Sequence, residues 1–175
     1  PALASEVSCY SRQTGFMRFN QLDRIVELCE QKRIVAIKSL SLAEEYLQDH
    51  FPRFPVMPGV LMLESLFQAS AWLIRKSEDF EHAVVLLKEA RNVKFSGFVE
   101  PGQQLTISAK IMKQDSTLTT LQATGVVGES PTVSARLVLE RFNLADRHPE
   151  RSQSDAGIRG QMRREFDLLY SSTAG

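Results

Sequence analysis

The residues with the clearest chemical potential fall in one stretch. It reads His50-Phe51-Pro52-Arg53-Phe54-Pro55-Val56-Met57-Pro58-Gly59-Val60-Leu61-Met62-Leu63-Glu64, with Gln68 just beyond. A neutral imidazole gains its proton near physiological pH, so His50 suits general-base work. A loop histidine capping the next turn is the plainer alternative. Glu64 is the one carboxylate in an otherwise apolar run, among Leu61, Leu63, Leu66 and Phe67. Its ionised form would be poorly solvated there, which favours the protonated acid and gives a group able to donate a proton. A buried arginine or a solvent channel beside Glu64 would explain the same residue without chemistry. Gln68 lies one helical turn on, on the same face and within reach of the carboxyl. Gly59 offers a backbone N–H at a helix start, where developing negative charge is favoured, and its missing side chain admits a substrate to the backbone. A plain loop-to-helix glycine is the alternative. His82 and His148 have no comparable setting and read as surface or strand-edge residues.

These residues need elements to hold them. Pro52, Pro55 and Pro58 forbid a helix or central strand before Gly59 and make a stiff loop. Pro58 suits a helix start, where its missing N–H would be unpaired anyway. From Val60 to about Lys76 the chain is apolar nearly all round, the mark of a buried helix. Ahead of it, Met17 to Leu28 and Arg33 to Leu40 read as strands, with Glu30-Gln31-Lys32 as their hairpin turn and Ser41 to Leu47 as a short helix. Behind it come four strand candidates, 83–95, 103–112, 118–127 and 132–142. The second alternates Leu105, Ile107, Ala109 and Ile111 against Thr106, Ser108 and Lys110. The order predicts an α+β domain in which a long antiparallel sheet wraps one central buried helix. The helix has too much apolar surface for one sheet face, so a partner subunit is expected to help cover it. Residues 1–15 read as an arm, 16–142 as the domain and 143–175 as a tail. Within the tail, Arg147 to Arg159 reads as a polar linker and Gln161 to Tyr170 as a short helix carrying Met162, Phe166 and Leu169 at helical spacing.

Composition narrows the class. The 175 residues are 43% hydrophobic, enough to bury a core, and 21 basic residues balance 21 acidic ones. Zero net charge favours neither nucleic acid nor an acidic membrane face as partner. Two cysteines, Cys9 and Cys29, without ligand spacing, point to a reducing compartment and no metal. No basic segment followed by an apolar run marks the N-terminus, so no secretory signal is expected. The stretch Val60–Ile74 is too short to span a bilayer, so a cytoplasmic protein is expected.

The stretch from His50 resembles the active-site motif of the 3-hydroxyacyl-(acyl-carrier-protein) dehydratases, HFPxxPxMPGVLxxE followed by Gln after four residues. His50-Phe51-Pro52, Pro55-Val56-Met57-Pro58-Gly59-Val60-Leu61, Glu64 and Gln68 fit it in register. Leu22-Asp23-Arg24-Ile25 resembles the family's LVDRV element. Glu89–Phe95 with Val99-Glu100-Pro101-Gly102 resembles its EARFKxxVxPGD segment. The resemblance implies a hotdog fold and two sites per homodimer, each taking His50 from one subunit and Glu64 from the other. Many relatives assemble further into hexamers. It also implies a mechanism. His50 removes the α-proton of the thioester, the Gly59 N–H polarises the carbonyl, and Glu64 assists departure of the β-hydroxyl, with no cofactor. The implied substrate is an acyl thioester of fatty-acid or related lipid synthesis, on acyl carrier protein or coenzyme A. Some positions depart from the pattern. Arg53 stands where the family commonly has glycine, with Phe54 after it, and Ser65 and Phe67 replace small alanines. The lead-in from Thr14 to Asn20 lacks the usual histidine and proline. Phe67 is therefore expected to plug or reshape the acyl tunnel, and Phe54 and Arg53 to shape it further, with Arg53 either clashing at its mouth or meeting a phosphopantetheine phosphate. A hotdog acyl thioesterase and a non-catalytic acyl-binding hotdog protein are the alternatives.

Overall fold

Alternating side chains build the sheet. A computed structural model describes residues 19–170 and contains six strands: β1 (Arg24–Cys29), β2 (Arg33–Ser39), β3 (Val84–Phe95), β4 (Gln104–Gln114), β5 (Leu118–Val127) and β6 (Ser130–Phe142). In β4, Leu105, Ile107 and Ala109 are buried while Gln104, Ser108 and Lys110 face water. All pairs are antiparallel, in the order β1-β2-β4-β5-β6-β3. Helix α1 (Gly59–Ser77) lies against β2 to β6 and buries Met62, Leu66, Trp72, Leu73 and Ile74. This is the hotdog architecture, an antiparallel sheet wrapped around a central helix. Gly125 of β5 marks how tightly the sheet curves on its core. A Cβ there would lie 2.7 Å from a Val133 methyl and 3.0 Å from one of Leu105.

Several boundaries differ from the sequence-based expectation. Among the described residues the first strand begins at Arg24, and Met17, where it was expected to start, lies outside them. Asp23 just before it accepts the Ser39 N–H at 2.5 Å and donates its own N–H to the Ile37 carbonyl, which ties the strand entry to β2. The short helix expected over Ser41–Leu47 is a single 3-10 turn, Glu45–Leu47. Pro58 is not the first helical residue. It is the extended residue ahead of the helix (φ −56°, ψ 138°), and its carbonyl accepts the N–H groups of Leu61 and Met62. The arm at 1–15 and Cys9 lie outside the described residues.

The largest correction is in the tail. The linker expected over Arg147–Arg159 is mostly helical. A 3-10 turn (Pro149–Arg151) runs directly into α2 (Ser152–Leu169), well before Gln161. Polar side chains in the first half of α2 are spent on the strand exit rather than on water. Both oxygens of buried Asp155 accept N–H groups, from Leu144 and Ala145, each at 2.9 Å. Arg159 donates to the Asn143 side chain at 3.1 Å. The second half docks by its aromatic anchor. The Phe166 ring meets Phe80 at 5.7 Å, Trp72 at 6.1 Å and Tyr170 at 5.5 Å between centroids.

Candidate active site

Glu64, Phe67, Gln68, Ala71, Trp72 and Arg75 recur at three- and four-residue steps and so form one stripe along α1. That stripe lines a cavity of about 560 Å³, with Val84–Leu86 of β3 and residues of α2 as its other walls. Glu64 is half-buried in it. Its Oε1 accepts from Gln68 Nε2 at 2.9 Å. The same Nε2 donates to the Phe19 carbonyl at 2.8 Å, and Gln68 Oε1 accepts the Gln21 N–H at 2.9 Å. Gln68 is thereby held on three sides, and it fixes one carboxyl oxygen of Glu64. Phe67 forms part of the wall beside the carboxyl, and the cavity keeps its volume with that ring in place.

His50 does not line this cavity. It is half-buried at the end of the proline loop, where its N–H donates to the Tyr46 carbonyl and its ring stands edge-on to Phe51 at 4.6 Å. Phe51 has a left-handed backbone (φ 52°), a costly conformation for a bulky residue that precedes proline. The turn is closed by the Phe54 N–H on the Phe51 carbonyl at 2.7 Å. Strain of this kind persists where the surroundings over-determine it, often at functional sites. Within one chain, then, the imidazole and the carboxyl are not brought into one space.

Gly59 opens α1, where the first N–H groups of a helix have no intrahelical acceptor. A Cβ there would come within 3.1 Å of the Phe95 ring, so even alanine would crowd it. Around this end of α1, large apolar groups face water: Val60 is 70% exposed, Phe51 62%, Phe98 62%, and Phe54 and Phe95 49% each. Phe54 and Phe98 pack edge to face at 5.6 Å. Arg53 is exposed and has no ion-pair partner among the described residues. Strand β3, with Leu86 half-exposed, is an edge of the sheet.

The family model for the FabA-like domain matches residues 15–136, which include His50, Gly59, Glu64 and Gln68. The chain belongs to this family. Among FabA-like relatives, it is 41% identical over 116 residues to the 3-hydroxyacyl-(acyl-carrier-protein) dehydratase FabZ of Levilactobacillus brevis, covering 66% of this chain and 78% of that one. It is 36% identical over 135 residues to the FabZ of Geobacillus thermodenitrificans, covering 74% and 87%. Solved structures share the fold. One is the dehydratase heterocomplex ApeI:P of Xenorhabdus doucetiae (TM-score 0.60, 19% identity, 72% of this chain and 85% of that one). Another is the PaaI protein of E. coli (TM-score 0.53, 12% identity, 68% and 78%).

The FabA-like match ends before α2 begins, and the far end of the cavity is where sequence reasoning fell short. Trp72 and Arg75 were legible in principle, because they continue the helical stripe that starts at Glu64. Ile158 was not, since it lies in the segment read as a linker, and Met162 and Glu165 fall in the short helix expected over Gln161 to Tyr170, for which the sequence offered no packing partner. Arg75 donates to the Ala83 carbonyl at 3.1 Å. Burial draws its guanidinium down to about 10, against the opposing pull of the Glu165 carboxylate. His82 and His148 stand away from the cavity, beside Glu78 (3.0 Å) and Glu150 (3.4 Å). Among the described residues no group of three or more His, Cys, Asp or Glu could hold a metal ion, and no helix is long and apolar enough to cross a membrane.

Proposed function

We propose that this chain is a hydro-lyase that removes water from a 3-hydroxyacyl thioester, giving the trans-2-enoyl thioester in fatty-acid or related lipid synthesis. One observation carries the reading. In a FabA-like domain with the His50–Gln68 pattern intact, Glu64 is held by Gln68 and opens into an apolar groove instead of being sealed in the core.

The chemistry follows from those groups. The α-carbon is a weak acid, and hydroxide is a poor leaving group, so a base, an acid and enolate stabilisation are all needed. His50 takes the α-proton, and the Gly59 N–H stabilises the charge that builds on the thioester oxygen. The electron pair of the broken C–H bond becomes the new C=C bond. The β C–O bond breaks, and the oxygen leaves as water with the proton that Glu64 supplies. His50 then gives its proton to solvent and Glu64 takes one back from solvent, so the net change is the loss of one water and both groups are restored.

The site is completed by a second copy of the chain, so that His50 of one subunit meets Glu64 of the other. Two features support this. β3 is an edge strand with backbone groups available for pairing, and Val60, Phe51, Phe54, Phe95 and Phe98 form an exposed apolar cluster around Gly59 of the kind that marks an interface. Further assembly to a hexamer would extend the same principle. The thioester arrives on the phosphopantetheine of acyl carrier protein, with coenzyme A as the other carrier of the same group. We assign exposed Arg53, without an ion-pair partner among the described residues, as the cation that meets its phosphate. We assign the reaction to the cytoplasm.

The assay is direct: the protein is incubated with 3-hydroxyacyl and with saturated acyl thioesters on both carriers. Enoyl thioester without free thiol is expected. Free thiol from the saturated substrate would instead identify a thioesterase, and no turnover at any chain length an acyl-binding protein.

A further inference from the structure

One wall of the groove beside Glu64 comes from outside the family match. Helix α2 lies wholly beyond residue 136, where that match ends, yet Ile158, Met162 and Glu165 line the same cavity of about 560 Å³. Along α1 the cavity runs from Glu64 to Arg75, about 16 Å at the rise of an α-helix. Its character changes along that length. Beside Glu64 the lining is Phe19, Phe67 and Ala71, with Gln68, whose amide is already bonded, and Asn20 as its polar members. At the far end Arg75 donates to a backbone carbonyl, and Gln161 holds Glu165 through a 2.9 Å hydrogen bond. A methyl group pressed onto those polar groups would strip water from them and offer no bond in return.

We infer that α2 is the end stop of the acyl site: it closes the groove distally and confines the enzyme to short and medium 3-hydroxyacyl chains, whose last carbons pack on Ile158 and Met162 short of Arg75 and Glu165. This rests on the reading that the Glu64 groove takes the acyl chain. The contacts that hold α2 in place are separate from the wall it presents. Phe166, Asp155 and Arg163 anchor the helix to Phe80, to the backbone at Leu144 and Ala145, and to Asp79, and none of these three lines the cavity. The wall can therefore be recut while the helix stays docked.

The test is kcat/KM across a series of 3-hydroxyacyl thioesters from short to long, measured on the full chain. The proteins compared are the wild type, an Ile158→Ala/Met162→Ala double variant, Ile158→Trp and Glu64→Gln. The wild type is expected to lose activity towards the long end. The double variant should raise the long-to-short ratio by about tenfold or more, the scale of one methylene in an apolar pocket. Ile158→Trp should lower the medium-to-short ratio by a similar factor, which keeps the test open if the double variant fails to fold. A chain-length profile that Ile158→Trp and the double variant leave unmoved, or a wild type that prefers the longest chains, overturns the end stop. If Glu64→Gln is inactive in that case, only the role of α2 falls. If Glu64→Gln retains full activity, the reading of the groove falls with it.

Discussion

The two helices are nearly equal in length, 19 residues in α1 and 18 in α2, and are stabilised by opposite means. Helix α1 buries nine side chains, packs against five strands and presents its remaining stripe to the groove. Helix α2 buries three, Asp155, Phe166 and Leu169, and is otherwise tied by polar side chains to neighbouring turns. A continuous apolar surface makes α1 inseparable from the fold, so the Glu64 carboxyl mounted on it is held rigidly. A few discrete anchors make α2 a part that can be loosened or reshaped by itself. In the proposed reading, chemistry sits on the element that cannot move, and the limit on substrate size on the one that can be retuned.

The sharpest way to break this comparison is through turnover. Glu64→Gln and His50→Ala should each lower the dehydration rate by about 10²–10⁴-fold while the oligomer, measured by light scattering, persists. Full activity in either variant would remove that residue from its role. Stability comes next. Leu73, fully buried on α1, should cost about 2–5 kcal/mol of global stability when changed to alanine, read by denaturant unfolding. Phe166→Ala should lower global stability by less and instead speed hydrogen exchange of the α2 amides. Equal global losses would mean that the two helices form one cooperative unit. Asp155→Ala, which leaves the Leu144 and Ala145 N–H groups without their acceptor, should cost about 1–3 kcal/mol, again read locally.

The smallest effect concerns pH. The Arg163 guanidinium beside Asp79 holds that carboxyl below its ordinary value of 3.8. A carboxyl more acidic in the folded state than in the unfolded one lends stability that is present above its ordinary value and lost as pH falls through its folded value. Protection of α2 amides, corrected for the intrinsic exchange rate at each pH, should therefore fall on acidification below the usual carboxylate range. Asp79→Asn should flatten that dependence, and only slightly, because Asp79 is exposed.

What could be read in the sequence follows the same division. The alternation of Leu105, Ile107 and Ala109 and the apolar run after Val60 located β4 and α1 to within a residue or two, because burial against one core leaves a periodic trace. Gln68 could be paired with Glu64 from helical spacing alone, and the 2.9 Å bond is present. Helix α2 left no such trace over its first half. Asp155 and Arg159 look like solvated charges in sequence, yet they serve the backbone at Leu144 and Ala145 and the side chain of Asn143 across the chain. The left-handed turn at Phe51 was equally hidden, since phenylalanine before proline carries no local preference for it. Hydrogen bonds between distant segments decide both features, and periodicity carries no record of them.

The shared site can be tested by complementation. His50→Ala and Glu64→Gln chains are purified separately, unfolded and refolded together, so that hybrid dimers form, and dehydration of a 3-hydroxyacyl thioester is followed. Each variant alone should be inactive, whereas the mixture should regain activity, because one of the two sites in every hybrid receives an intact imidazole and an intact carboxyl. A mixture that contains hybrids by native mass spectrometry and stays as inactive as its parents would contradict a site assembled from two chains.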